Sequence, residues 1–338
     1  MVSTSQTTEK IHPHHESLPQ REGFQLFRWL RKGWALNKSL TMLGLMLVIT
    51  LLATCVGLLV EHRVIAGAPA WAKPAKFAIS FSFYCFTFVW LLSYLQRWKK
   101  TAMTLTIITF VGVFIDMALI VLQVFRGVQS HFNVATPFDD MVYRIMGLGS
   151  TMIFIASLVT GIFLLFKRNI DLALIWSLRL GLVIMILGMS VGFLMTQATQ
   201  EQLAVFTAGQ MPPIFGAHSV GVPDGGPGLP FLGWSTTGGD LRIAHFVGLH
   251  ALQVLPFLGW FLSAQRFPRF STRQRIALVW IIGLGYAGLV GSLLWQALRG
   301  QSLIAPDGLT WLTWGLIIGV TLILSGAIIL RARLSKIQ

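Results

Sequence analysis

Five histidines, His62, His131, His218, His245 and His250, stand among the cations Lys76, Arg126 and Arg299 and the carboxylates Asp139 and Asp224. Imidazole ligates haem iron, copper or zinc, and arginine or lysine beside it can hold haem propionates or another anion. His131, His218, Asp139 and Asp224 make a mixed donor set for a transition metal, with His245 as a further ligand. The spacing is not that of a metal motif. His245 and His250 lie five residues apart, about 140° around a helix, so they do not share a face as the i, i+4 pair of a zinc helix does. His250 has Gln253 one turn further on and falls within an apolar run, where a buried imidazole needs a partner.

Asp116 also interrupts an apolar run, at a cost of roughly 2.5–3.5 kcal/mol for a carboxylate at membrane depth, which marks a functional site by default. Gln123 follows on nearly the same helical face and Arg126 after it, a polar stripe that Gln296 and Arg299 repeat later in the chain. Hydrolase signatures are missing: there is no Gly-x-Ser-x-Gly elbow and no His-Glu-x-x-His helix. The glycine-rich run from Gly216 to Gly228 lacks the Gly-Lys-Ser/Thr ending of a phosphate loop.

The elements that must position these groups follow from composition. Of 338 residues 54% are hydrophobic and only 11% charged, against about 25% charged in a soluble domain. Lipid is the solvent that tolerates such a chain. Apolar runs of spanning length predict helices near 40–60, 77–96, 102–125, 143–166, 173–195, 243–265, 276–298 and 310–330. The fold class is an all-α polytopic membrane bundle of about eight transmembrane helices. Residues 1–38 form a polar tail whose end, 24–36, mixes aromatic and basic residues as an interfacial helix does. Cys55 and Cys85 fall inside apolar runs and read as small buried hydrophobes.

Net charge is +14, and its distribution orients the bundle. Both termini and the even-numbered connections carry eighteen basic residues against four acids, whereas the opposite connections balance seven against seven. The positive-inside rule makes the basic side cytoplasmic, with both termini inside. The charge is therefore a topology signal and does not imply nucleic-acid binding. Arg179 can snorkel to the cytoplasm, and Asp171 is expected in a solvated cytoplasmic turn.

The halves repeat. Cys55-Val-Gly57-Leu-Leu matches Ser190-Val-Gly192-Phe-Leu, Ala75-Lys76-Phe77 matches Ala244-His245-Phe246, and Gln123-Val-Phe-Arg126-Gly127 matches Gln296-Ala-Leu-Arg299-Gly300. One longer loop, 196–242, accounts for the jump in register. The expected organisation is two tandem four-helix repeats, 39–170 and 171–338, related by an axis along the membrane normal. The long loop is rich in glycine and proline but poor in charge, which predicts a packed cap over the outer mouth.

The segment Arg126-Gly-Val-Gln-Ser-His-Phe-Asn133, with Thr136-Pro-Phe-Asp139, resembles segments of uncharacterised bacterial polytopic membrane proteins. That resemblance implies a bacterial cytoplasmic (inner) membrane location and no particular activity. The leading functional expectation is an outward-facing His/Arg/Asp pocket for an anionic small molecule or a cofactor, with haem or a transition metal as redox candidates. The alternatives are a carrier of an anionic or lipid-like solute, and a structural or sensory protein that binds a protein partner.

Overall fold

A computed structural model describes residues 25–334, apart from 168–169, 264–265 and 267–269. The tail before residue 25 lies outside the described residues. Eight described helices are long and apolar enough to cross a membrane, so the chain is an integral, multi-pass membrane protein with lipid as its partner. They are α2 (Lys38–Val60), α3 (Ala72–Leu92), α4 (Lys99–Arg126), α5 (Pro137–Leu165), α6 (Leu172–Met195), α8 (Leu241–Phe261), α9 (Thr272–Leu298) and α10 (Gly308–Leu334). Two shorter helices flank them, α1 (Gln25–Leu36) before the first span and α7 (Gln200–Thr207) in the long loop. In α1, Lys32 lies over the Trp29 ring, and Lys38 at the start of α2 lies over Trp34, the aromatic–basic mixture expected of an interfacial segment.

Capping chemistry moves several helix starts beyond the onset of hydropathy. Thr136 caps α5 by accepting the Asp139 amide, Pro137 occupies the first turn, and Asp139 and Asp140 complete it. Residues 137–142, expected to precede the helix, are therefore part of it. α3 also starts early, at Ala72 and without a side-chain cap, which puts Lys73 and Lys76 on its first two turns. Asp240 caps α8, and Ser271 with Gln274 forms a capping box on α9.

Asp171 is not a solvated turn residue. It caps α6 through the amides of Ala173 and Leu174, and it binds the buried Arg275 of α9 at 2.8 Å. Arg179 turns to the Leu165 and Lys167 carbonyls and stacks on Trp176, well away from Asp116.

Lipid drives no helix–helix contact by hydrophobicity, so close packing must come from small residues. On α6 a β-carbon at Gly188 would sit 2.6 Å from the Gly248 Cα of α8, and one at Gly181 would sit 2.9 Å from the Ala251 carbonyl oxygen. Gly112 of α4 meets the Gly149 carbonyl of α5 at 2.7 Å in the same sense. The pairs α2–α3, α4–α5, α6–α8 and α9–α10 pack along their lengths, and α5–α6, α6–α9 and α8–α9 join them. The main core gathers Phe88, Leu91, Leu95, Leu164, Leu178 and Leu252. α10 stays peripheral, with only Thr310 and Ala332 buried.

Candidate functional site

The long loop folds back over one end of the bundle. Strand β3 (Ser219–Val220) pairs antiparallel with β4 (Gly239–Asp240), and the two-stranded β1–β2 hairpin (Val64–Ile65, Ala68–Pro69) lies in the α2–α3 connection. Single bridges join Asn133 to Ile214 and Gly228 to Ser235. The loop is anchored on three sides: Phe215 N–H donates to the Phe132 carbonyl, Ala217 N–H to Met195, and Ser302 Oγ to Ser235. A β-carbon on Gly239 would lie 1.9 Å from the Ala297 carbonyl, so the cap rests directly on the end of α9.

Beneath this cap four segments converge. α3 contributes Lys73 and Lys76, the α4–α5 connection His131, the cap His218 and Asp224, and the start of α8 Asp240, Arg242 and His245. Lys76 Nζ donates to the Leu232 carbonyl at 2.7 Å, and Arg242 Nη2 donates to Gly233 at 2.6 Å while gripping the buried Asp240. The cap backbone thus closes onto these two cations. His131 lies within electrostatic reach of Lys73, His218 and His245, and His218 within reach of Lys73 and Arg242. The Phe132 ring packs on His218 at 4.8 Å, and Phe77 stands 5.7 Å from His131.

The electrostatics are uneven. Burial opposes ionisation of Asp224, but the His218 imidazole and the amides of His218 and Ser219 outweigh it and hold its carboxyl far below the usual range. Burial pushes the His131 imidazole well below its ordinary value, with the charge of Lys73 adding to the shift. His218 is lowered too, by burial first, with Asp224 opposing and Arg242 and Lys73 reinforcing. Both rings are neutral at pH 7. Asp240 is spent on Arg242, and Asp224 on His218 and the backbone. No described hydrogen bond reaches Lys73 Nζ, so one cation is left without a dedicated acceptor.

The tautomers follow from the partners. His218 Nδ1 lies 2.7 Å from a carboxylate oxygen and His245 Nδ1 lies 2.8 Å from the Gly188 carbonyl, and both oxygens can only accept. Nδ1 therefore carries the proton in each ring, and in the neutral ring Nε2 holds a lone pair. His131 Nδ1 faces Ser130 Oγ at 3.1 Å. Among the described residues no hydrogen bond engages the three Nε2 atoms, and each ring keeps some accessible surface.

Several sequence candidates lie elsewhere. The exposed Arg126 pairs with the buried Asp139 and Gln123, a latch between the end of α4 and the first turn of α5. Arg299 pairs with Asp307 at the start of α10, while the buried Gln296 amide donates to the Ser302 carbonyl. Both arginines are occupied by aspartates of the next helix. His62 is exposed beside the Glu61–Arg63 pair. His250 faces Phe246 at 4.4 Å on a different side of α8 from His245. Asp116 is buried at the Gly112–Gly149 crossing, where Oδ2 accepts from Ser150 at 2.9 Å and Oδ1 has no partner.

The set His131, His218, Asp139 and Asp224 is not assembled. Asp139 serves Arg126, Gln123 and Thr136, and among the described residues no three His, Cys, Asp or Glu side chains stand where they could hold a metal ion. Among the described residues His250 is likewise seen against Phe246 and not against a second histidine, as a bis-imidazole haem would need. Sequence reasoning passed over Lys73 and Arg242 as site residues. The i, i+3 spacing of Lys73 and Lys76 at a helix start was the available signal for the first.

In comparisons with known proteins, no protein-family model, no curated protein and no solved structure matches the chain.

Proposed function

We propose that this membrane protein is a ligand-binding protein whose pocket, beneath the 196–240 cap, takes a small anion on the non-cytoplasmic side. One observation carries the reading: among the described residues Lys73, Lys76 and Arg242 share the cluster with two carboxylates, both already tied, and no described hydrogen bond gives Lys73 an acceptor of its own. An unpaired cation beside neutral imidazoles is costly unless an anion joins it. The orientation is supported by the excess of lysine and arginine at the opposite end, and a bacterial cytoplasmic membrane by the resemblance of residues 126–139.

The test is thermal unfolding of detergent-purified protein against a panel of small oxyanions. Millimolar anion is expected to raise the midpoint of the natural protein and to do nothing for Lys73→Met. A natural protein indifferent to every anion in the panel would remove the pocket.

The reading includes an internal duplication. It is supported by the paired packing α2–α3 and α4–α5, which α6–α8 and α9–α10 repeat. It is supported also by the matched latches, in which Gly127 and Gly300 both take the left-handed conformation (φ 73° and 69°) and the next amide returns to the Gln123 or Gln296 carbonyl. The cluster then lies between the halves, fed by Lys73, Lys76 and His131 from one and by His218, Arg242 and His245 from the other. Co-expressed fragments split before Asp171 should assemble; failure to co-purify would count against two self-contained halves.

Carriage of the anion is a second reading, favoured by the buried Asp116 with its unpartnered Oδ1. Uptake into proteoliposomes that Asp116→Asn abolishes, with binding intact, would support it. Binding without any uptake would refute it.

A further inference from the structure

The tautomers of the pocket say more than its charge. A cation alone would accept any anion of the right size. Here Lys73 supplies a donor, while His218 and His245 each commit Nδ1–H to a protein oxygen and leave Nε2 as an acceptor. His131 joins them as a neutral ring whose Nδ1 faces Ser130. Lys73 lies within electrostatic reach of His131 and His218, and His131 within reach of His245, so the cluster gathers a positive donor and several lone pairs.

An anion that carries no hydrogen leaves those lone pairs facing its own oxygens, which is repulsive and strips them of water. A ligand that satisfies both sides must be an anion with at least one O–H. The Leu232 and Gly233 carbonyls already engage Lys76 and Arg242, which leaves Lys73 as the donor for a ligand. Resting on the anion-pocket reading above, we infer that the ligand is a protonated phosphoryl oxyanion, either inorganic phosphate or a phosphate monoester, held by Lys73 Nζ and by O–H donation to the imidazole Nε2 atoms. Asp224 is a positioning residue here: it fixes the His218 proton on Nδ1 and does not touch the ligand.

Sulfate is the decisive comparison, because it matches phosphate in shape and carries no proton near neutral pH. A phosphodiester headgroup lacks an ionisable proton in the same way, so it separates a lipid source from a soluble one. At about pH 6 a phosphate monoester is roughly half in the singly protonated form, while burial disfavours the charged form of His131 and His218.

The experiment measures the thermal midpoint and equilibrium dialysis of full-length protein in detergent at about pH 6. The probes are inorganic phosphate, glycerol 3-phosphate, sulfate and glycerophosphocholine. Phosphate and glycerol 3-phosphate are expected to bind at least about tenfold more tightly than sulfate, the worth of one satisfied against one unsatisfied hydrogen bond. Glycerophosphocholine is expected not to bind. Asp224→Asn should narrow the phosphate-to-sulfate ratio, because His218 can then place its proton on Nε2, and a merely structural role would weaken both anions alike. Lys73→Met should lose both anions, and its unliganded midpoint reports whether it folds. Equal binding of sulfate and phosphate, both lost in Lys73→Met, would overturn the requirement for a proton and leave the anion pocket standing. Equal binding of the diester would overturn the monoester assignment. Indifference to all four probes would remove the pocket itself and this inference with it.

Discussion

Gly188→Ala tests how the α6–α8 crossing builds the site. The new β-carbon would lie 2.6 Å from the Gly248 Cα, with the Gly248 carbonyl carbon and the Leu249 nitrogen also within 3 Å. Carbon atoms rest at about 3.5–4.0 Å, and all three obstacles are backbone, so the helices must part by about 1 Å. Overpacking of this kind costs about 1–3 kcal/mol. The same shift carries the Gly188 carbonyl away from His245 Nδ1, stretching a 2.8 Å bond beyond hydrogen-bonding range. That loss costs about 1 kcal/mol, and alanine's advantage over glycine inside a helix returns a similar amount. The net expectation is about 1–3 kcal/mol of destabilisation, with anion affinity reduced about tenfold because His245 is no longer oriented. Gly192→Ala, one turn away on the same helix, is the control. Its β-carbon would meet His245 Cε1 at 3.5 Å, an ordinary contact. Thermal unfolding and anion titration of both variants decide the matter. If Gly188→Ala matched Gly192→Ala in midpoint and affinity, the close crossing would not be what orients His245.

Asp171→Ala should destabilise the protein by about 3 kcal/mol, read as a thermal midpoint, because it strips the α6 cap and strands the buried Arg275 guanidinium. Stability should fall as pH drops below about 6.5, the ordinary histidine value. His131 and His218 have lowered folded values, so the unfolded chain binds more protons there and acid favours it. Asp224 is lowered as well and stays ionised until far more acid pH, so it adds no slope in that window. A midpoint that His131→Gln leaves equally acid-sensitive would contradict the assignment to that ring. On intact cells an impermeant thiol reagent should modify Thr207→Cys in α7 and spare Arg273→Cys in α9, both exposed positions. The reverse pattern would invert the topology.

The spans were legible because hydropathy is a local property. The run 43–59 needs lipid whatever surrounds it, and lysine and arginine sort by side along the chain itself. Helix starts were less legible where a cap precedes the apolar run, as at Thr136-Pro137, since capping is read from a few polar atoms that hydropathy ignores. The stripe Gln123–Arg126 was visible in the sequence but its partner was not. Asp139 reaches it only because α4 and α5 are antiparallel and meet at their shared end.

What the chain's own order of residues decided is the solvent, the number of crossings, the charge asymmetry and the inventory of imidazoles. Which of those imidazoles meet was decided by packing. The Gly188–Gly248 contact brings α8 against α6 beside His245, the cap sets His218 and Asp224 against the start of α8, and α3 brings Lys73 to them. His250, five residues from His245, is turned to Phe246 by the pitch of the same helix. A site drawn from four distant segments has no sequence period, because its distances are set by side-chain volumes at helix crossings and not by spacing along the chain.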